Sequence, residues 1–241
     1  MMVENKIKFT YWNTGGTPLN VDLCEAAISC ASKSNLTELL KISCEDRNPH
    51  EWPLVKIREI SRETEGFTVH LDCDLLWDYD IKIVTELLDR LGIDVLYQRR
   101  ESMCSNFIYK DGLKHFDEIK CPIAYNAGLT VFSKKAKDVV REEIKNFRAK
   151  SFNISSTYEQ VVLPIKLRQC GLKVATLEDI EPFLPSRPKN SIENIWNNLD
   201  LRFLIKSKCL MPRIGFLHLV GNIKEKMDVS KTIIEFNELY K

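Results

Sequence analysis

The chain has 241 residues, 44% apolar and 29% charged, the composition of an ordinary globular protein with room for one large α/β domain or two small ones. Its net charge of +1 gives no bulk electrostatic claim on nucleic acid or membrane, and no apolar run approaches the roughly 18 residues of a spanning helix. The eight cysteines lie apart with no Cys-x-x-Cys pair, so zinc spacing is absent. With no apolar leader core in the opening MMVENKIKFTYW, that scatter makes a reducing cytoplasm the expected location.

Lys6 to Trp12 alternates Ile7, Phe9 and Tyr11 and predicts the first strand. Asn13-Thr14-Gly15-Gly16 follows, a turn with open backbone amides at a place where α/β sheets take nucleotides. Tyr11 or Trp12 is placed either to stack on a base or to form a core aromatic pair. Val21 to Ala31 predicts a helix, Thr37 to Cys44 fits a strand or a short helix, and Arg47 to Pro53 reads as a loop.

Phe67 to Leu71 is a near-continuous apolar run, which predicts a strand buried on both faces, and Asp72-Cys73-Asp74 closes it. Ile81 to Leu91 repeats apolar residues at helical spacing and ends at Gly92. Asp94 to Gln98 predicts a strand, and Arg99 to Lys120 a polar loop or lid. Ile123 to Phe132 predicts another strand, in which Asn126-Ala127-Gly128 marks a bulge or a close approach.

Lys134 to Arg148 predicts an amphipathic helix. A helical stretch from Ser156 to Gly171 follows, which Pro164 kinks or restarts. Lys173 to Leu177 predicts a strand, Ile180 to Asn190 a proline-rich loop and Ile192 to Ile205 a helix. Ile214 to Val220 predicts a late strand, and Val229 to Lys241 a closing helix. Strands alternating with helices predict a Rossmann-like, mostly parallel mixed α/β sheet flanked by helices, in a single domain.

Three stretches carry chemistry. Residues two apart on a strand point the same way, so Asp72 and Asp74 can face one hard cation, and that cation a phosphate. The bland alternative is a polar loop, and the second pair, Asp78-Tyr79-Asp80, reads as a helix N-cap. His70 shares the parity of the acidic pair but lies deeper, which favours a structural role. His218 ends an apolar strand, with Gly221 three residues on and Lys224 six on. An imidazole suits a metal, a glycine lets backbone approach a phosphate, and a lysine supplies a point charge.

Together with Glu159-Gln160, these stretches resemble nucleotide-sugar glycosyltransferases of the glycosyltransferase A fold, of the glycogenin and bacterial galactosyltransferase type. The matching residues, in the family's order, are Asp72-Cys73-Asp74, Asn126-Ala127-Gly128, Glu159-Gln160 and His218-x-x-Gly221-x-x-Lys224. This chain departs from the family at Glu159, where Asp is usual, at Glu225-Lys226, where Pro-Trp often follows the lysine, and at Pro164.

The resemblance implies transfer of a sugar from a nucleotide-sugar donor, a UDP-sugar by expectation, with retention of configuration. Asp72, Asp74 and His218 would hold Mn²⁺, or Mg²⁺ in its place. Tyr11, Asn13, Asp72, Asn126, Gly128, Gly221 and Lys224 would bind the donor, and Gln160 and Glu159 would act at the sugar carbon. Residues 1–120 would form the nucleotide- and metal-binding half, and residues 121–241 the acceptor and sugar half. The acceptor is expected to be a saccharide. Modified DNA is a variant suggested by Arg99, Arg100, Lys110 and Lys114. A sugar nucleotidyltransferase and a non-catalytic nucleotide-binding scaffold share this fold. The glycine-bearing turn at Asn13 to Pro18 lacks the arginine or lysine expected of a nucleotidyltransferase.

Overall fold

The computed structural model describes residues 6–11, 39–43, 52–62, 65–72, 75–77, 81–101, 124–145, 158–186 and 216–218. In chain order the strands are β1 (Lys6–Tyr11), β2 (Leu39–Ser43), β3 (Thr68–Asp72), β4 (Leu75–Trp77), β5 (Val95–Glu101), β6 (Ala124–Phe132), β7 (Val174–Thr176) and β8 (Phe216–His218). The helices are α1 (Trp52–Arg62), α2 (Ile81–Leu91), α3 (Lys134–Lys145), α4 (Leu163–Gln169) and α5 (Leu177–Ile180). A π-helical turn, Tyr158–Val162, runs into α4, and a 3₁₀ turn, Glu181–Phe183, follows α5.

Six strands form one sheet in the order β2-β1-β3-β6-β5-β7, and β4 pairs with β8 in a second, two-stranded sheet. β1 runs parallel to β2 and β3, and β5 runs parallel to β7. β6 is antiparallel to both of its neighbours. The carboxyl ends of β1, β2, β3, β5 and β7 therefore share one edge, the edge where open α/β sheets bind ligands. Strands from both halves of the chain share this sheet, which has the mixed, mostly parallel character that strands alternating with helices predict.

The sheet is buried on two sides. On one, Val69, Leu71, Leu96, Leu129 and Val131 pack against Ile81, Val84, Leu87 and Leu88 of α2. On the other, Tyr97, Phe132 and Val174 meet Ile57 and Ile60 of α1, Ala136 and Val140 of α3, and Leu163 and Leu167 of α4. Each fully buried aliphatic side chain is worth about 1.5–3 kcal/mol before entropy is charged. α2 and α4 stop the same way, with Gly92 (φ 62°) and Gly171 (φ 77°) in left-handed conformations. Ile93 N–H then reaches the Leu88 carbonyl and Leu172 N–H the Leu167 carbonyl, which satisfies the last turns.

Several expectations change. The segment that reads as a loop to Pro53 enters α1 at Trp52, and α1 has no counterpart among the predicted elements. Arg99 and Arg100 extend β5 instead of opening a loop. Residues 177–183 are helical, so the proline-rich stretch is irregular only from Leu184 among its described residues. Within Thr37–Cys44, Leu39–Ser43 forms strand β2. Pro164 sits in the first turn of α4, a restart, and Gly128 lies where the β5–β6 register shifts, a bulge. The helices predicted at Val21–Ala31, Ile192–Ile205 and Val229–Lys241 lie outside the described residues. Among the described residues no helix is long and apolar enough to cross a membrane.

The face of β3 toward α1 and α3 is polar. Thr68, His70 and Asp72 alternate with Val69 and Leu71, and both Thr68 and His70 are buried. α3 answers with Lys137, fully buried, whose ammonium donates to the carbonyls of Glu65 (2.9 Å) and Gly66 (2.8 Å) and to Thr68 Oγ1 (3.1 Å). Lys137→Met leaves these acceptors without that donor. It is expected to cost about 2–3 kcal/mol, read as a lower urea midpoint with an unchanged m-value.

Candidate active site

The site is built around a side chain the sequence did not single out. In α1 the buried positions Lys56, Ile57, Ile60 and Ser61 follow helical spacing, so Lys56 lies in the apolar stripe and points into the protein. It is 2% exposed. Its ammonium reaches Asp72 Oδ1 at 3.3 Å, Glu159 Oε2 at 2.9 Å and the carbonyl of Ala127 at 3.3 Å. One cation thus joins the end of β3, the β6 bulge and the π-turn. Burial alone would push the Lys56 ammonium down, but the carboxylates of Asp72 and Glu159 outweigh it and hold its pKa well above the usual lysine range.

Asp72 ends β3 on the shared carboxyl edge, with its side chain 19% exposed. His70 Nε2 lies 3.6 Å from the same carboxylate oxygen, too long for a hydrogen bond. Burial, and then the positive charge of Lys56, hold the His70 pKa well below its usual value. The imidazole is therefore neutral, in keeping with the structural role its depth suggests.

The β6 bulge carries Asn126 and Gly128. The Gly128 N–H donates to Asn126 Oδ1 at 2.9 Å, so the side-chain oxygen of Asn126 closes its own turn. Glu159 and Gln160 sit on the π-turn, Glu159 buried against Lys56 and Gln160 half-buried beside it. Pro164 explains the widened turn. It has no N–H to offer the carbonyl four residues earlier, that of Gln160, so regular α-helix cannot run through this point. The hydroxyl of Tyr97 donates to the Glu159 carbonyl at 3.4 Å and braces the turn. Burial, and then the charge of Glu159, raise the Tyr97 pKa, so that donor keeps its proton.

The remaining predicted residues divide in two. Tyr11 is the last residue of β1, one past Thr10, whose partner in β3 is Asp72. His218 ends β8, and its backbone pairs with Leu75, the residue after Asp74. The register therefore sets position 218 opposite Leu75, across most of the chain length. Asn13, Asp74, Gly221 and Lys224 lie outside the described residues. Among the described residues no three His, Cys, Asp or Glu side chains gather as a metal site. Asp72, the expected metal ligand whose side chain is described, is a carboxylate on the open edge, an oxygen ligand of the kind Mn²⁺ or Mg²⁺ takes. Lys56 is the site residue missed from sequence, and its signal was a lysine at the phase of Ile60 in an apolar stripe.

Neither protein-family models nor curated proteins give a match to this sequence. Solved structures do. A glycosyltransferase involved in the glycosylation of the major capsid of PBCV-1 is 12% identical with a TM-score of 0.50, over 95% of this chain and 99% of that one. The apo form of the glycosyltransferase GlyE of Streptococcus pneumoniae TIGR4 is 13% identical with a TM-score of 0.49 over 98% of this chain. This chain spans 63% of the length of GlyE. Mouse xyloside xylosyltransferase 1 is 10% identical with a TM-score of 0.41, over 92% of this chain and 99% of that one. The fold is the glycosyltransferase A fold.

The low His70 pKa has a measurable consequence. The unfolded chain binds a proton near pH 6.5 and the folded chain does not, so the stability due to neutral His70 is complete above that pH and falls below it. Between pH 6.5 and 5 this linkage steepens the loss of unfolding free energy by up to about 1.4 kcal/mol per pH unit. His70→Gln should flatten that part of the slope in urea titrations at stepped pH.

Proposed function

We propose that the protein is a metal-assisted glycosyltransferase that moves a sugar from a nucleotide-sugar, a UDP-sugar by expectation, to a saccharide acceptor. One observation carries this reading. Stretches scattered along the chain meet at the carboxyl edge of the sheet, where Asp72, the Asn126–Gly128 bulge and Glu159 surround Lys56.

In this reading Asp72, Asp74 and His218 hold the divalent cation. When bound, it neutralises the charge that grows on the departing diphosphate. Tyr11, at the end of β1, and Asn13 receive the base and ribose. Gly221 lets backbone approach the diphosphate, and Lys224 adds a positive charge there. Asn126 and Gly128 line the sugar pocket. Gln160 offers an amide oxygen to the sugar carbon as it becomes oxocarbenium-like, a neutral group that steadies positive charge without itself abstracting a proton. Glu159, held by Lys56, fixes the turn that presents Gln160. Retention of configuration is the stereochemical expectation.

Thermal-shift measurements with a panel of nucleotides and nucleotide-sugars, with and without Mn²⁺, test the assignment. UDP with Mn²⁺ should raise the Tm, and Asp74→Asn should remove the Mn²⁺-dependent part of that rise. Turnover of the matching UDP-sugar should fall by about 100-fold in the same variant. Gln160→Ala should lower kcat by about 10- to 100-fold with donor KM nearly unchanged, the signature of a group that acts in the transition state. NMR of the product should show the donor's anomeric configuration. Pyrophosphate release from a nucleoside triphosphate would instead assign nucleotidyl transfer, and a chain that folds but shows no shift with any nucleotide would rule out both.

A further inference from the structure

Lys56 has two seats. Its ammonium is shared between Asp72 Oδ1 at 3.3 Å and Glu159 Oε2 at 2.9 Å, with the Ala127 carbonyl at 3.3 Å completing the cage. At 2% exposure the side chain cannot turn out to water, so any partner it gives up is replaced from within this set. Asp72 differs, because its carboxylate is 19% exposed and stands on the open edge.

We propose that Lys56 is an internal counter-ion of the donor site, which competes with the divalent cation for Asp72 and passes to Glu159 when that cation binds. The inference rests on the donor-site reading of Asp72 given above. Its physical basis is that two cations on one carboxylate in a poorly hydrated pocket repel each other, while the Glu159 seat offers the ammonium a closer oxygen. Lys56 is thus a positioning residue with two effects. It weakens cation uptake by occupying Asp72, and once displaced it tightens on Glu159 and steadies the π-turn that carries Gln160. Coupling of this kind is reciprocal, so the order of the sugar side and the occupancy of the cation side report on each other.

Titration calorimetry with Mn²⁺ alone, and then with UDP in the presence of Mn²⁺, tests this on the full chain. Lys56→Met should bind Mn²⁺ at least about fivefold more tightly than the wild type, because a competing charge is gone. Lys56→Arg, which keeps the charge, should stay within about twofold of wild type. Lys56→Met leaves the buried Glu159 without its cation, an uncompensated charge that can prevent folding. The double variant Lys56→Met/Glu159→Gln has no such orphaned carboxylate, is expected to show the same gain, and carries the test in that event. Unchanged or weaker Mn²⁺ affinity in the double variant overturns the proposal while leaving the donor-site reading intact. Loss of UDP affinity at unchanged Mn²⁺ affinity overturns it as well, since Lys56 would then contact the nucleotide directly. A wild type that takes up no Mn²⁺ overturns the donor-site reading and this proposal with it.

Discussion

The arrangement of the site depends on one buried ammonium. Taking a lysine out of water is costly unless its charge is matched and its hydrogens are used. Lys56 meets both conditions with two carboxylates and a carbonyl drawn from β3, the π-turn and β6. Those segments are distant in sequence, and each is held where it is because the cation cannot be left unmatched. Among the described residues the ammonium faces two carboxylates, with a neutral imidazole behind them.

Irregular backbone is concentrated in the same place. β6 is the antiparallel strand between two parallel groups, and it loses register with β5 where Asn126, Ala127 and Gly128 pass the site. The bulge turns the Ala127 carbonyl toward Lys56 and closes the Asn126 side chain onto Gly128. Opposite it, Pro164 withholds an N–H from Gln160 and the chain makes a π-turn. These departures from regular hydrogen bonding present the residues in question at angles a plain strand or α-helix would not offer.

β3 shows how the sheet reconciles two demands. Val69 and Leu71 face α2 in an ordinary apolar layer, while Thr68, His70 and Asp72 face α1 and α3. The polar row is tolerable because each helix over it contributes a lysine, Lys137 at one end and Lys56 at the other. The lower pair ties the strand's entry to α3. The upper one works at the site. Both lysines interrupt apolar stripes, and their burial follows from helix phase, not from any preference of lysine for the interior.

Much of this architecture was legible in the residues. The amphipathic period and terminal glycine of α2, the apolar run of β3 closed by an acidic pair, the glycine in β6 and the proline-started α4 are local patterns. Each is fixed by side-chain periodicity or by the backbone limits of Gly and Pro, so it reads correctly without knowledge of neighbours. The acidic pair and the Asn126–Gly128 stretch could be singled out for the same reason, whereas Glu159 and Gln160 were reached only through the family resemblance. What the chain did not disclose was α1, whose lysine and arginines obscure its apolar stripe, nor that Lys56 would serve three partners at once. The β4–β8 pairing, which sets His218 opposite Leu75, was equally hidden. Ion pairing and strand register are agreements between segments far apart in sequence, and their energies exist only once the fold has brought those segments together.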